Sequence, residues 1–320
     1  MYMKVIGDTP MIKITYEYKG KIKYIYTKLE YYNLTGSIKD RVAYYILQSA
    51  KQRKELLPNM PIIEATSGNT GISLAALGAK YGHPVYIFMP DWVSTERVKL
   101  MQSYNAKVIL ISKEEGGFKK CIEDAKKLSI KLNGFLANQF SNKENIRAHY
   151  ETTGKEIINE VPEKIGSFIS GIGTGGTLIG IGKRLKEENK DITVCALEPS
   201  KMPMLSQNKI IGNHKIEGIG DEFVPDLVDR NIIDKIVLIN DEDAINMSRK
   251  LSKNLGIGVG ISSGANMIGA IILQEMIEKV VVTVFPDDNK KYLSTDLSKD
   301  IDNDTEFISN QIHLINYEEV

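Results

Sequence analysis

Four short stretches of the chain hold residue types that could do chemistry together. Ser37-Ile38-Lys39-Asp40 fits a capping box with Ser37 as N-cap and Asp40 near the N3 position, so Lys39 falls in the first turn of a helix continuing through Val42, Tyr45, Ile46 and Ser49. A cation there opposes the helix dipole, which suits an amine held neutral or as an imine better than a structural ammonium. One more surface lysine is the plain alternative. Thr66-Ser67-Gly68-Asn69-Thr70-Gly71 stands between an apolar strand and the small-residue helix Ile72 to Ala79, where orphan N–H groups and hydroxyls make an anion site for a carboxylate or a phosphate. A well-capped helix has the same look.

Gly171-Ile172-Gly173-Thr174-Gly175-Gly176-Thr177 follows the strand Ser167 to Ser170 and opens a helix, the arrangement that wraps a phosphate in backbone amides. Gly171, Gly173 and Gly176 also match a dinucleotide fingerprint, with Glu198 near the ribose-binding offset, so a nucleotide-dependent oxidoreductase competes at this point. Gly260-Ile261-Ser262-Ser263-Gly264 precedes the apolar helix Ala265 to Glu278 and alone reads as a cap by Ser263. The combination separates the readings. A dinucleotide enzyme needs neither the lysine in a helix first turn nor the second anion site, whereas one phosphate, one amine and one carboxylate site suit pyridoxal phosphate plus an amino acid.

These junctions need elements to hold them, and the apolar runs supply a βαβ rhythm: Pro61 to Ala65, Gly71 to Tyr81, Val85 to Met89, Thr95 to Tyr104 and Val108 to Ile111. The rhythm resumes with Ser167 to Ser170, Thr177 to Lys186, Ile192 to Leu197, Lys235 to Ile239, Asp241 to Asn254, Ala265 to Glu278 and Val280 to Phe285. Two α/β blocks with parallel sheets follow. The polar run Gln139 to Ala148 reads as a crossing segment or hinge, and Lys21 to Leu29 as an extra strand. The expected division is a smaller α/β domain over 35–140, a larger phosphate-binding one over 1–34 plus 141–298, and an acidic surface tail over 299–320.

Composition narrows the partners. Among 320 residues, 41 basic side chains balance 41 acidic ones, and no basic block interleaves with aromatics, which argues against nucleic acid. The N-terminal segment, broken by Lys4, Gly7, Asp8 and Pro10, lacks a signal-peptide core, and no apolar run is long enough for a bilayer, so a cytoplasmic location is expected. Cys121 and Cys195 read as buried thiols, and His83, His149, His214 and His313 show no metal-ligand spacing, so no metal is expected.

From about Ile6 to Leu297 the chain resembles the cysteine synthase (O-acetylserine sulfhydrylase) and cystathionine β-synthase family, pyridoxal-phosphate enzymes of fold type II. The family's lysine motif stands here as Asn33-Leu34-Thr35-Gly36-Ser37-Ile38-Lys39-Asp40-Arg41, lacking its usual proline, and the resemblance implies that Lys39 is the Schiff-base residue. It further implies Asn69 on the cofactor's 3′ oxygen, and Thr66, Ser67, Gly68, Thr70 and Gln139 around the substrate carboxylate. The same resemblance implies that Gly173, Thr174, Gly175, Gly176 and Thr177 form the phosphate cup and that Ser262 faces the pyridine nitrogen. His149 to Gly154, Leu197-Glu198-Pro199 and Tyr292 to Thr295 are further matching landmarks, and within the family Glu198 binds no ribose. The fold so implied is a pair of open twisted-sheet α/β domains, tryptophan synthase β-like, with the cofactor cleft between them.

The implied chemistry is β-elimination and β-replacement on a small L-amino acid through an aminoacrylate, with freed Lys39 as the base for the α-proton. The main expectation is O-acetyl-L-serine plus sulfide giving L-cysteine. One departure bears on that: in Gly218 to Pro225 cysteine synthases usually carry a small residue where Asp221 stands. A carboxylate there repels hydrosulfide and accepts a proton from water, so the alternative is a hydrogen sulfide-producing enzyme that converts L-cysteine to L-serine. A thiol acceptor, as in cystathionine β-synthases, is a further alternative. The resemblance also implies a homodimer and docking of a serine acetyltransferase C-terminal peptide.

Overall fold

A computed structural model describes residues 3–299 and 307–320 of the chain. It opens on a hairpin. Ile12, Ile14, Tyr16 and Tyr18 alternate along β1 (Met11–Tyr18) and are buried. Lys19 and Gly20, both at positive φ, then turn the backbone into β2 (Lys21–Leu29) through the two-residue loop that twisted strands favour. β2 is the expected extra strand. Its partner β1 was not expected, although its period of two is the pattern of a half-buried strand.

After α1 (Lys39–Gln52) come β3 (Ile62–Ala65), α2 (Asn69–Tyr81), β4 (Val85–Pro90), α3 (Thr95–Ser103), β5 (Lys107–Ile111), α4 (Gly117–Lys131) and β6 (Phe135–Leu136). Their strands form one parallel sheet in the order β5-β4-β3-β6, with Val42, Ile46 and Leu47 of α1 and Ile72 and Leu74 of α2 in its core. A helical run then crosses to the second sheet where a hinge was expected. It consists of α5 (Glu144–Ala148), a five-residue π turn over His149–Thr153, and α6 (Gly154–Glu160).

The second block is β7 (Ser167–Gly171), α7 (Gly176–Glu188), β8 (Thr193–Pro199), α8 (Met204–Gln207), β9 (Lys235–Ile239), α9 (Asp241–Leu255), α10 (Ile261–Ile277), β10 (Val281–Phe285), α11 (Ile308–Gln311) and β11 (His313–Glu319). The sheet runs β11-β1-β2-β10-β7-β8-β9, parallel from β2 to β9 and antiparallel at β1 and β11. Central strands covered on both faces read as near-continuous apolar runs, as in Val281 to Phe285, all buried, with only Thr283 polar and its hydroxyl donating to the Ile169 carbonyl. No helix among the described residues is long and apolar enough to cross a membrane.

Two expectations need correction. Ser37 and Asp40 do not form a capping box: α1 starts at Lys39, and the Asp40 carboxylate instead accepts from the backbone N–H of Thr35 at 2.7 Å and from its hydroxyl at 2.7 Å. Past Ser298 the chain is more than a surface tail. Residues 300–306 lie outside the described residues, but Asp243 accepts from the N–H groups of Ile308 and Ser309 to start α11, and β11 then pairs with β1 as the sheet's edge.

A buried ionic cluster anchors the first turn of α1. Arg41 reaches Glu30 through Nε at 2.7 Å and Glu156 of α6 through Nη2 at 2.7 Å, while Lys28 of β2 lies 3.0 Å from Glu156 and 2.7 Å from Glu160. Burial pushes the Glu156 carboxyl up, but hydrogen bonds and charge from Arg41, with Lys28, outweigh it and bring it down to about 2. Arg41→Ala is therefore expected to cost about 3–5 kcal/mol, because Glu30 is left buried without its cation, held only by the Thr9 hydroxyl and the Asn33 amide. Urea denaturation with an unchanged slope and a lower midpoint is the check.

Candidate active site

The loops after β3, β7 and β10 open into one cleft of about 910 Å³, at the carboxyl ends of parallel strands where such folds hold ligands. Lys39, Thr66, Ser67, Gly68, Asn69, Thr70, Gln139, Gly173, Thr174, Gly175, Thr177, Asp221 and Ser262 all line it. Gly176 lies just behind, buried as the first residue of α7. Residues separated by more than two hundred positions thus share one wall.

Lys39 keeps part of its surface open to this cleft. Burial lowers its amine to about 8, against the opposing charges of Asp221 and Asp287. The amine therefore gives up its proton more readily than a surface lysine while still carrying charge at neutral pH. Asp221 answers it: burial raises its carboxyl to about 6, with Lys39 pulling it down and Glu222 pushing it up. The two groups feel each other's charge across the cleft.

At the start of α2, Gly68 carries no side-chain cap, which leaves the first N–H groups of the helix unsatisfied by any cap. The Thr70 hydroxyl donates to Gln139 Oε1 at 2.5 Å, and Gln139 Nε2 donates to the carbonyl of Ala65 at 3.0 Å. Behind them sits Glu64, whose carboxylate accepts from the backbone N–H groups of Ala65 at 2.8 Å and Gln139 at 3.0 Å. Burial raises Glu64 to about 7 in spite of those bonds. Asn69 donates through Nδ2 to Asp287 at 2.7 Å, while its Oδ1 is buried with no partner.

The glycine loop is tight for steric reasons. A Cβ on Gly173 would lie 2.3 Å from the carbonyl oxygen of Gly218, Gly175 has φ +86°, and a Cβ on Gly176 would meet Asn145 Oδ1 at 1.9 Å. Asn145 Nδ2 donates to Thr174 Oγ1 at 2.9 Å and to the carbonyl of Gln139 at 2.9 Å, which ties this loop to the segment after β6. His149, buried and held well below its usual range first by burial and then by Lys39 and Arg41, is a neutral ring. It bridges Thr177 Oγ1 at 3.2 Å and Thr153 Oγ1 at 3.0 Å. At the start of α7 the Gly176 N–H has a long bond to Thr174 Oγ1 at 3.4 Å and Gly175 offers no side-chain cap, so helix-start N–H groups beside two fixed threonines suit a phosphate dianion.

At the third junction α10 begins one helical position after Gly260, with no side-chain cap, and the buried Ser263 hydroxyl has no partner. The cap by Ser263 is thus absent, and Ser262 is the serine that faces the cleft. Glu198 accepts from the N–H groups of Leu205 and Ser206 at 2.5 and 3.0 Å, so it starts α8 and has no ribose role. Sequence reasoning passed over Glu64, Asn145, Arg97 and Asp287, and took His149 only as a landmark. Asn69 at the cleft wall, the amide-lined loop and the lysine with a lowered amine value together fit pyridoxal phosphate.

The sequence matches the pyridoxal-phosphate dependent enzyme family over residues 2–287. The chain belongs to that family. A probable cysteine synthase of Bacillus subtilis is 41% identical over 301 residues, covering 92% of this chain and 96% of the relative. A cysteine synthase from Entamoeba histolytica superposes with a TM-score of 0.87 at 36% identity, over 97% of this chain and 95% of that one. A hydrogen sulfide-producing enzyme from Fusobacterium nucleatum, seen as an aspartate-to-asparagine variant with an α-aminoacrylate intermediate, reaches 0.96 at 49% identity, over 99% and 98%. The cofactor is pyridoxal phosphate.

With the cofactor known, the glycine loop yields a prediction. Gly176→Ala drives a methyl group into Asn145 Oδ1 and is expected to weaken cofactor retention by about tenfold or more, the effect of roughly 1–3 kcal/mol of overpacking. Equilibrium dialysis of the cofactor against the folded variant measures it.

Proposed function

We propose that the enzyme carries out β-elimination and β-replacement on a small L-amino acid, and that its preferred reaction converts L-cysteine and water to hydrogen sulfide and L-serine. The observation that carries the choice is Asp221, which lines the cleft close enough for its charge and that of Lys39 to shift each other. Bound pyridoxal phosphate supplies the electron sink for chemistry at the α-carbon. Thr66, Ser67, Gly68, Thr70 and Gln139 hold the substrate carboxylate, Asn69 and Ser262 hold the ring, and residues 173–177 hold the phosphate. Lys39, in the neutral form that its lowered value makes more accessible, takes the α-proton, and the sulfur departs as hydrosulfide. Asp221, deprotonated above about 6, takes a proton from the water whose oxygen adds at the β-carbon. Lys39 returns its proton to the α-carbon to give L-serine, and the proton on Asp221 leaves to solvent or with hydrosulfide as hydrogen sulfide.

Kinship with cysteine synthases favours a second reading, O-acetyl-L-serine plus sulfide giving L-cysteine. A carboxylate facing incoming hydrosulfide works against it. Assembly as a homodimer and docking of a serine acetyltransferase C-terminal peptide are proposed on the same kinship. Incubation with L-cysteine, with sulfide and serine both quantified, is the test, run beside O-acetylserine plus sulfide. Equal yields of sulfide and serine are expected; efficient cysteine formation with no serine from L-cysteine overturns the assignment.

A further inference from the structure

Asp287 sits one residue beyond Pro286, immediately behind Asn69, and is fully buried. Its Oδ2 accepts from Asn69 Nδ2 at 2.7 Å and from the Tyr292 hydroxyl at 2.8 Å, while its Oδ1 is buried with no partner. A charge so placed needs compensation, and the nearest guanidinium, Arg97, is only a loose one. Arg97 stands 3.9 Å from Oδ2, stacks over the Tyr292 ring at 4.7 Å and forms its close ion pair with Glu217, on the segment leading to Asp221. Lys39, Lys291 and Asp288 also feel Asp287, and a Cβ on Gly260 would lie 2.1 Å from its Oδ1, so position 260 leaves room for glycine alone.

A carboxylate only accepts hydrogen bonds, so the Asn69 amide has one possible orientation, with Nδ2 toward Asp287 and Oδ1 turned away. That oxygen is the orphan noted above. An amide of neutral surroundings could flip; this one is locked. The Asp287 charge also reaches Lys39, where it and Asp221 favour the protonated nitrogen against the cost of burial.

We propose that Asp287 is a positioning residue, which through Asn69 fixes the amide that meets the cofactor ring and holds a proton on the nitrogen that Lys39 shares with it. The inference depends on the cofactor and not on which amino acid is turned over, so its test uses no substrate.

Holoenzyme of wild type, Asp287→Asn, Asn69→Ala and the double variant is titrated across the neutral and alkaline range while the visible absorption of the bound cofactor is followed. In Asp287→Asn the alkaline midpoint of the long-wavelength band is expected to fall by roughly one pH unit, the scale of removing one nearby opposite charge. Asn69→Ala moves it the same way by a smaller amount, because the Asp287 charge stays in place, and the double variant shifts by less than the sum of the two. A residue with a merely structural part lowers the thermal midpoint and leaves the band alone. An unchanged band in folded Asp287→Asn, or full additivity with Asn69→Ala, overturns the proposal. If Asp287→Asn does not fold, Tyr292→Phe keeps the charge and removes one of its two donors. Its midpoint is expected to rise, and an unchanged or lowered midpoint then overturns the proposal.

Discussion

Lys39→Ala is expected to lose the absorption band of the lysine-bound cofactor and to turn over L-cysteine roughly 10⁴-fold more slowly or worse, since one side chain both anchors the cofactor and serves as the base. The fold should survive, because the variant removes a desolvated amine and leaves the Arg41 cluster intact. A second consequence follows at Asp221. The Lys39 charge pulls the Asp221 carboxyl down, so without Lys39 that carboxyl rises above about 6. Infrared difference spectra of the carboxyl band against pH would show the rise. A lysine variant that keeps the band, or most of the turnover, would remove Lys39 from the mechanism.

Asp221→Asn separates the two halves of the reaction. Asparagine cannot take a proton, so serine formation should fall by roughly 10²–10⁴-fold, the usual weight of a general base. Sulfide departure needs Lys39 alone, so the variant should release about one equivalent of sulfide per active site and then stall. A thiol nucleophile already ionised in solution should restart it. In the wild type, serine release should grow as pH rises through about 6, because burial raises Asp221 to that value and only the deprotonated form accepts from water. Asp221→Asn should lack that limb. Serine yield that survives the substitution would show that the loop acid is a bystander.

What could be read in the sequence was local. Lys39, Thr66 to Gly71 and Gly173 to Thr177 announce themselves because a helix start, a small-residue turn and a glycine loop each fit within a few neighbouring residues. Their supports do not. Asn69 and Asp287 are 218 positions apart, and Gln139 and Glu64 are 75 apart, so neither pairing leaves a periodic trace. Glu64 hides inside an apolar strand, and Asn145 inside a polar run that looks like a hinge. The capping box failed for a related reason: the Thr35 N–H and hydroxyl claim the Asp40 carboxylate. β11 was missed because Leu314 is its one buried residue, and an edge strand with His313, Asn316 and Glu318 looks like solvated chain.

The π turn over His149–Thr153 constrains how the chain can change in length. His149 just before the turn's widening supports Thr177, and Glu156 and Glu160 beyond it reach Arg41 and Lys28. A π turn holds about one residue more than an α turn, so deleting one residue here would close the run into an ordinary α-helix with α6 keeping roughly its present face. The same deletion inside α6 would rotate the residues beyond it by about 100° and swing Glu160 off Lys28. The π turn is thus where this run tolerates a change of length, while the ionic cluster that steadies Lys39 depends on the register beyond it.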